Sequence, residues 1–224
     1  MRLLLTSSGI SNTSIHNALV DLLANRLPNP TPSAFPTRRT ARAAGELQWP
    51  TSSSADQPSV PCADWVGSRW ECWSSPRCLA SKKSIGVPTV QEADALLVWG
   101  GDVLYLCHWM RQSGLADLLP SLHETVYVGV SSGSMVLTPN FGEAYDDWFC
   151  REPPASDLPA GDDRALGLVD FSLFPHLDHE RSPQNSLANA ERWAARIPVP
   201  TYAIDDQSAI KVTDGAVEVV TEGH

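Results

Sequence analysis

The chain has 224 residues, of which 26 are acidic and 16 are Lys or Arg, giving a formal charge of −10 with neutral histidines. That sign argues against duplex DNA or an anionic membrane as the main partner, because both require a cationic face. No apolar run reaches the roughly 20 residues of a membrane-spanning helix.

Leu3-Leu4-Leu5 reads as a short buried strand ending at Ser7-Ser8-Gly9. The Met1–Leu5 stretch is shorter than the apolar region of about 7–15 residues in an export signal. With five cysteines in no disulfide spacing, a cytoplasmic protein with reduced thiols is expected. Ile15, Ala18, Leu19, Leu22 and Leu23 follow at helical spacing, with Ser14 as a candidate N-cap.

The pattern breaks between Pro28 and Lys83. This stretch holds eight prolines, nine serines and four tryptophans, but only five Phe, Leu, Val, Ile or Met residues. So few anchors cannot offset an ordering cost of roughly 1–2 kcal/mol per residue. Three accounts stay open: an insertion without stable structure, an irregular lid built on the tryptophans, or a frame-shifted stretch of a GC-rich gene. The chain is therefore read as one domain over residues 1–224, interrupted at 28–83.

Order returns at Ala95-Leu96-Leu97-Val98, a strand stopped by Gly100-Gly101. Val103, Leu106, Cys107 and Met110 form a helical face closed by Gly114. Val126 to Val130 is a strand followed by Ser131-Ser132-Gly133 and a helix start. Phe141 to Asp163 reads as an acidic loop, and Leu168 to Phe174 as a strand. Ser182-Pro183 opens a helix with the face Ala190, Trp193, Ala194 and Ile197. Thr201 to Ile204 is a strand, and Thr213-Asp214-Gly215 joins two more as a hairpin. Alternating strands and helices predict an α/β domain with a mostly parallel central sheet.

Gly129-Val130-Ser131-Ser132-Gly133 is a G-x-S-x-G between a strand and a helix, the context of a nucleophile elbow. The sharp turn would lift the Ser131 hydroxyl clear of the sheet and aim the Ser132 N–H at a developing oxyanion. A tight turn around a buried serine would show the same five residues, so the pattern alone does not decide. A base is needed, and His176 lies just past a predicted strand end, where ligands collect in open α/β sheets. His16, His108 and His123 fall on predicted helices or helix ends, and His224 is terminal. Asp205 and Asp206, at another strand end, can orient an imidazole. Gly100-Gly101-Asp102 offers bare backbone N–H groups at a third. His176, Asp178, His179 and Glu180 form an alternative metal-ligand cluster.

Taken together, Gly100-Gly101-Asp102, Gly129 to Ser134, Leu166 to Val169 with Pro175-His176, and Ala203 to Asp206 resemble the peptidase E (aspartyl dipeptidase) and cyanophycinase family of serine peptidases. The resemblance covers about Met1–Leu27 and Asp94–Val220. It implies a three-layer α/β sandwich of the class I glutamine amidotransferase type. It implies Ser131 as nucleophile and His176 as general base. Asp206 falls in the register of the family's usual Glu, with Asp205 as the fallback. Gly100 or Gly101 would complete an oxyanion hole beside Ser132. No cofactor or metal is implied, and the expected substrate is a short peptide, with N-terminal Asp as a candidate feature. Arg111, Arg151, Arg181 and Arg192 are each candidates to bind its carboxylate, and a homodimer is carried as an open assembly state.

The sequence departs from the family pattern in three places. Ser131-Ser132-Gly133 replaces Ser-Ala-Gly, and Gly100-Gly101-Asp102 replaces Gly-Gly-Asn. Nothing in 28–83 matches the family's second strand and following helix. Two rivals follow: a non-catalytic remnant of the family, and an α/β-hydrolase-type esterase, whose residue order would recruit His224.

Overall fold

The computed structural model describes residues 1–24, 70–73, 90, 91, 93–142 and 163–222, with backbone alone for Trp70–Trp73. The 28–83 stretch therefore lies outside the described residues except for that segment. Most of the predicted 141–163 loop, Arg151 and His224 lie outside as well.

In chain order the elements are β1 (Arg2–Thr6), α1 (Thr13–Ala24), β2 (Trp70–Trp73), β3 (Ala95–Val98), α2 (Val103–Ser113), α3 (Leu115–Leu118), β4 (Val126–Val130), α4 (Ser132–Met135), β5 (Ser172–Phe174), α5 (Leu187–Ala194), β6 (Thr201–Ala203), β7 (Ser208–Thr213) and β8 (Ala216–Thr221). Six strands form one sheet in the order β2-β3-β4-β1-β7-β8. The junctions from β2 to β1 are parallel and the last two are antiparallel.

The central strands β1 and β4 are buried along their whole length, and their mostly apolar residues match cover on both sheet faces. Successive side chains of a strand point to opposite faces, so Leu3 and Leu5 join one core cluster and Leu4 the other. On the Leu4 face, Ala95, Val126 and Val128 meet Ile15, Ala18, Leu19 and Leu22 of α1. On the opposite face, Leu96, Val98 and Tyr127 meet Val103, Leu106, Cys107 and Met110 of α2. Each fully buried Leu contributes about 1.5–3 kcal/mol. The result is the three-layer α/β arrangement with a mostly parallel centre that the alternating pattern predicts.

Several local expectations change. The α1 cap is Asn12, whose Oδ1 accepts the Ile15 N–H at 2.9 Å; the Ser14 N–H instead bonds Glu222 Oε1 at 2.7 Å. Only an acceptor one position ahead of the helix reaches the third helical N–H, and Ser14 lies inside the first turn. Ser182-Pro183 opens a 3-10 turn, Pro183–Asn185, and α5 starts afterwards at Leu187. The strand Trp70–Trp73 pairs in parallel with β3, a segment that the composition of 28–83 concealed. β5 and β6 form a separate two-stranded parallel sheet.

Gly114 closes α2 at φ 79°, its N–H on the Arg111 carbonyl. The β7–β8 hairpin turns on Asp214 and Gly215, at φ 51° and 84°. Two successive positive φ values match the right-handed strand twist and suit Asp-Gly.

Candidate active site

Ser131 occupies the apex of the turn from β4 to α4, with φ 54° and ψ −117°. Such a backbone costs a non-glycine residue about 1–3 kcal/mol, so its surroundings must hold it. Thr6, at the end of β1, does much of this. Its carbonyl accepts the Ser131 N–H at 2.9 Å and the Ser134 hydroxyl at 2.8 Å. Its hydroxyl donates to the Gly129 carbonyl at 2.8 Å.

The two glycines of the motif are steric necessities. A Cβ on Gly129 would lie 2.7 Å from the Gly133 carbonyl oxygen. A Cβ on Gly133 would lie 2.0 Å from the Val98 carbonyl oxygen, so α4 sits directly on the end of β3. Gly100 completes the close approach: its Cβ would be 3.1 Å from Ser131 Cβ and 3.4 Å from Oγ. Gly101 takes φ 146°, and its carbonyl accepts the Ser132 hydroxyl at 2.5 Å. Ser132 itself is fully buried. Asp102 caps α2, accepting the Tyr105 N–H at 2.7 Å. Its carboxylate is thus committed to a helix start.

His176 follows β5 and adopts φ 57°. Its Nε2 is 3.0 Å from Ser131 Oγ, and its Nδ1 is 2.8 Å from Asp206 Oδ1. A carboxylate only accepts, so Nδ1 carries the proton and Nε2 presents its lone pair to the Ser131 hydroxyl. Burial pushes the Asp206 carboxyl up. Hydrogen bonds from His176 and Ser8, with the charge of His176 and His179 when protonated, outweigh it, and the pKa falls below its ordinary value. Asp205 faces elsewhere, its Oδ1 accepting the Gln207 N–H at 3.0 Å. Of the adjacent pair, then, Asp206 meets the imidazole and Asp205 shapes the turn.

His179 reaches the other oxygen of the same carboxylate, with Nε2 3.4 Å from Asp206 Oδ2. Its Nδ1 accepts the Arg181 N–H at 3.0 Å, which puts the ring proton on Nε2, toward Asp206. Among the described residues, no group of three His, Cys, Asp or Glu side chains could hold a metal ion. His16 and His123 are exposed and His108 half-buried. Arg111 donates to the Ala165 carbonyl at 2.8 Å, and Arg192 bonds Asn189. Ser7, Ser8 and His179 touch the histidine and the aspartate, yet sequence reasoning gave them no part in a triad. The hydroxyl-rich run Thr6-Ser7-Ser8 at a strand end was the available signal.

Residues 79–220 match the model of peptidase family S51. Peptidase E of Shewanella putrefaciens is 29% identical over 140 residues, covering 59% of this chain and 56% of that protein. Peptidase E of a second Shewanella strain is 30% identical over 128 residues, covering 54% and 51%. The chain thus spans about half the length of the curated relatives it matches. A solved structure from Listeria monocytogenes, provisionally named peptidase E, superposes with TM-score 0.53 at 18% identity, over 65% of this chain and 68% of that one. A peptidase from an acI-B1 actinobacterium gives 0.51 at 12%, over 99% and 87%. These two likenesses speak to the fold alone. The family match takes in the Ser131 turn, His176 and Asp206 and covers well over half of the sequence, so the chain belongs to peptidase family S51.

Proposed function

We propose that this chain is a serine peptidase acting on short peptides through Ser131, His176 and Asp206. The observation that carries the reading is the continuous relay from Ser131 Oγ to His176 Nε2 at 3.0 Å and from His176 Nδ1 to Asp206 at 2.8 Å. Ser131 Oγ attacks the peptide carbonyl carbon while His176 Nε2 takes its proton. The oxyanion is held by the N–H of Ser132 and that of Gly100 or Gly101, each such donor being worth about 2.7–4 kcal/mol. His176 then protonates the leaving amine, the C–N bond breaks, and an ester on Ser131 remains. Water, deprotonated by His176, releases the acid and regenerates the hydroxyl. The lowered Asp206 pKa supports its staying ionised to orient and stabilise the imidazolium.

The resemblance of the Ser131, His176 and Asp206 motifs to the aspartyl dipeptidase family favours small peptides, with an N-terminal aspartyl residue as the first preference to test. A fluorophosphonate probe should label the wild-type chain at Ser131, releasing fluoride, and leave Ser131→Ala unlabelled. Equal labelling of the two would refute the nucleophile. No labelling of either would favour the non-catalytic remnant. A panel of dipeptides differing at the first residue then reads the preference.

A further inference from the structure

Ser7 stands at the carboxyl end of β1 and is completely buried, at 0% exposure. Its hydroxyl accepts the His176 backbone N–H at 3.0 Å and donates to the Ile204 carbonyl at 3.0 Å. The same Ile204 carbonyl accepts the Leu177 N–H at 3.1 Å, and Ile204 precedes Asp206 by two residues. The preceding residue, Thr6, holds the Ser131 N–H at 2.9 Å. The next residue, Ser8, hydrogen-bonds the Asp206 carboxylate. Three consecutive residues therefore contact the three segments that carry the serine, the histidine and the aspartate.

We infer that Ser7 is a positioning residue for His176: its side-chain oxygen fixes the backbone from which the imidazole reaches Ser131. The inference rests on the reading of Ser131 and His176 given above. The physical need is specific. His176 has φ 57°, a region disfavoured for a residue with a Cβ, so an external partner must keep the turn from relaxing. The His176 N–H, in a part-buried hydrogen bond, also needs an acceptor, and a serine oxygen serves as acceptor and donor at once. Without Ser7 Oγ, the His176 N–H and the Ile204 carbonyl each lose a partner. The ring would then shift relative to a hydroxyl only 3.0 Å away. Displacements of about 1 Å are enough to cost on the order of 10²-fold in rate.

The test uses the full chain as wild type, Ser7→Ala, Ser7→Thr and His176→Ala. One readout is the rate of labelling by a fluorophosphonate. The other is the far-downfield proton resonance of the His176 Nδ1–H bound to Asp206, assigned by its loss in His176→Ala. In Ser7→Ala, labelling should slow on the order of tenfold or more, and the resonance should broaden or vanish. Ser7→Thr, which keeps the hydroxyl, should recover both to within about threefold. Wild-type labelling with an intact resonance in Ser7→Ala would overturn the inference. So would a loss that Ser7→Thr fails to restore, because general destabilisation would then account for it. If wild type is not labelled at all, the nucleophile reading fails. The resonance, which needs no turnover, still decides whether Ser7 holds His176.

Discussion

Adding a single methyl group at Gly133 sets two opposed effects against each other. Gly133 lies in α4, where alanine is intrinsically favoured over glycine by up to about 1 kcal/mol. Its φ is not in the left-handed region, so the backbone raises no objection. Propensity alone predicts that Gly133→Ala stabilises. Contact geometry predicts the reverse. The new Cβ would meet the Val98 carbonyl oxygen at 2.0 Å, the Val98 carbonyl carbon at 2.7 Å and the Trp99 carbonyl oxygen at 3.0 Å. All three are backbone atoms and cannot swing aside as a side chain could. Ordinary contact begins near 3.4 Å, so α4 and the end of β3 would have to part by at least about 1.4 Å. A gap wider than about 1 Å forfeits roughly half or more of the dispersion energy across the interface. It also strains the bond from the Tyr127 hydroxyl to the Gly133 carbonyl, 2.6 Å long in the native chain. Overpacking of this kind costs about 3 kcal/mol, which exceeds the propensity gain and leaves a net loss of about 2 kcal/mol. For a domain of this size that is roughly 4–8 °C in Tm. Thermal melting followed by circular dichroism reads it directly. A Tm at or above that of wild type would show that helix propensity decides at this position and that the close packing of α4 on β3 is not as described.

The remaining predictions concern Asp206. Asp206→Asn should slow fluorophosphonate labelling by about 10²–10⁴-fold, because an amide can present a donor to Nδ1 and favour the wrong tautomer. Asp205→Asn should leave the rate within about twofold, since Asp205 serves the Gln207 turn; equal losses in the two variants would refute the assignment. The folded pKa of Asp206 lies below its ordinary 3.8. The folded chain therefore binds fewer protons there than the unfolded one, and stability rises with pH in that interval. The advantage of wild type over Asp206→Asn in urea unfolding should be full above the unfolded value and shrink as pH falls through the folded one. An advantage that grows with acid would contradict the ion pair.

The parts legible in the sequence were those encoded by neighbours along the chain. Leu3-Leu4-Leu5 and Val126 to Val130 announce strands covered on both faces, and Asp214-Gly215 announces its own turn, because each signal lies within a few bonds of its effect. Ser131 could be singled out because a tight strand-to-helix turn requires small residues at fixed spacing. Contacts across the fold had no such signal. The family register favoured Asp206 over Asp205, but the residues themselves left both open, because the choice depends on which of two adjacent carboxylates faces an imidazole 30 residues away in sequence. The grip of Thr6 and Ser7 on Ser131 and His176 spans more than 120 residues in sequence. Composition alone also concealed the strand Trp70–Trp73, whose pairing with β3 is a property of the sheet rather than of its own four residues. The local code thus set the strands, turns and small-residue gaps. Only the folding of β1 between β4 and β7 decided which side chains meet at the end of the sheet, because hydrogen bonds depend on separation in space and not on separation along the chain.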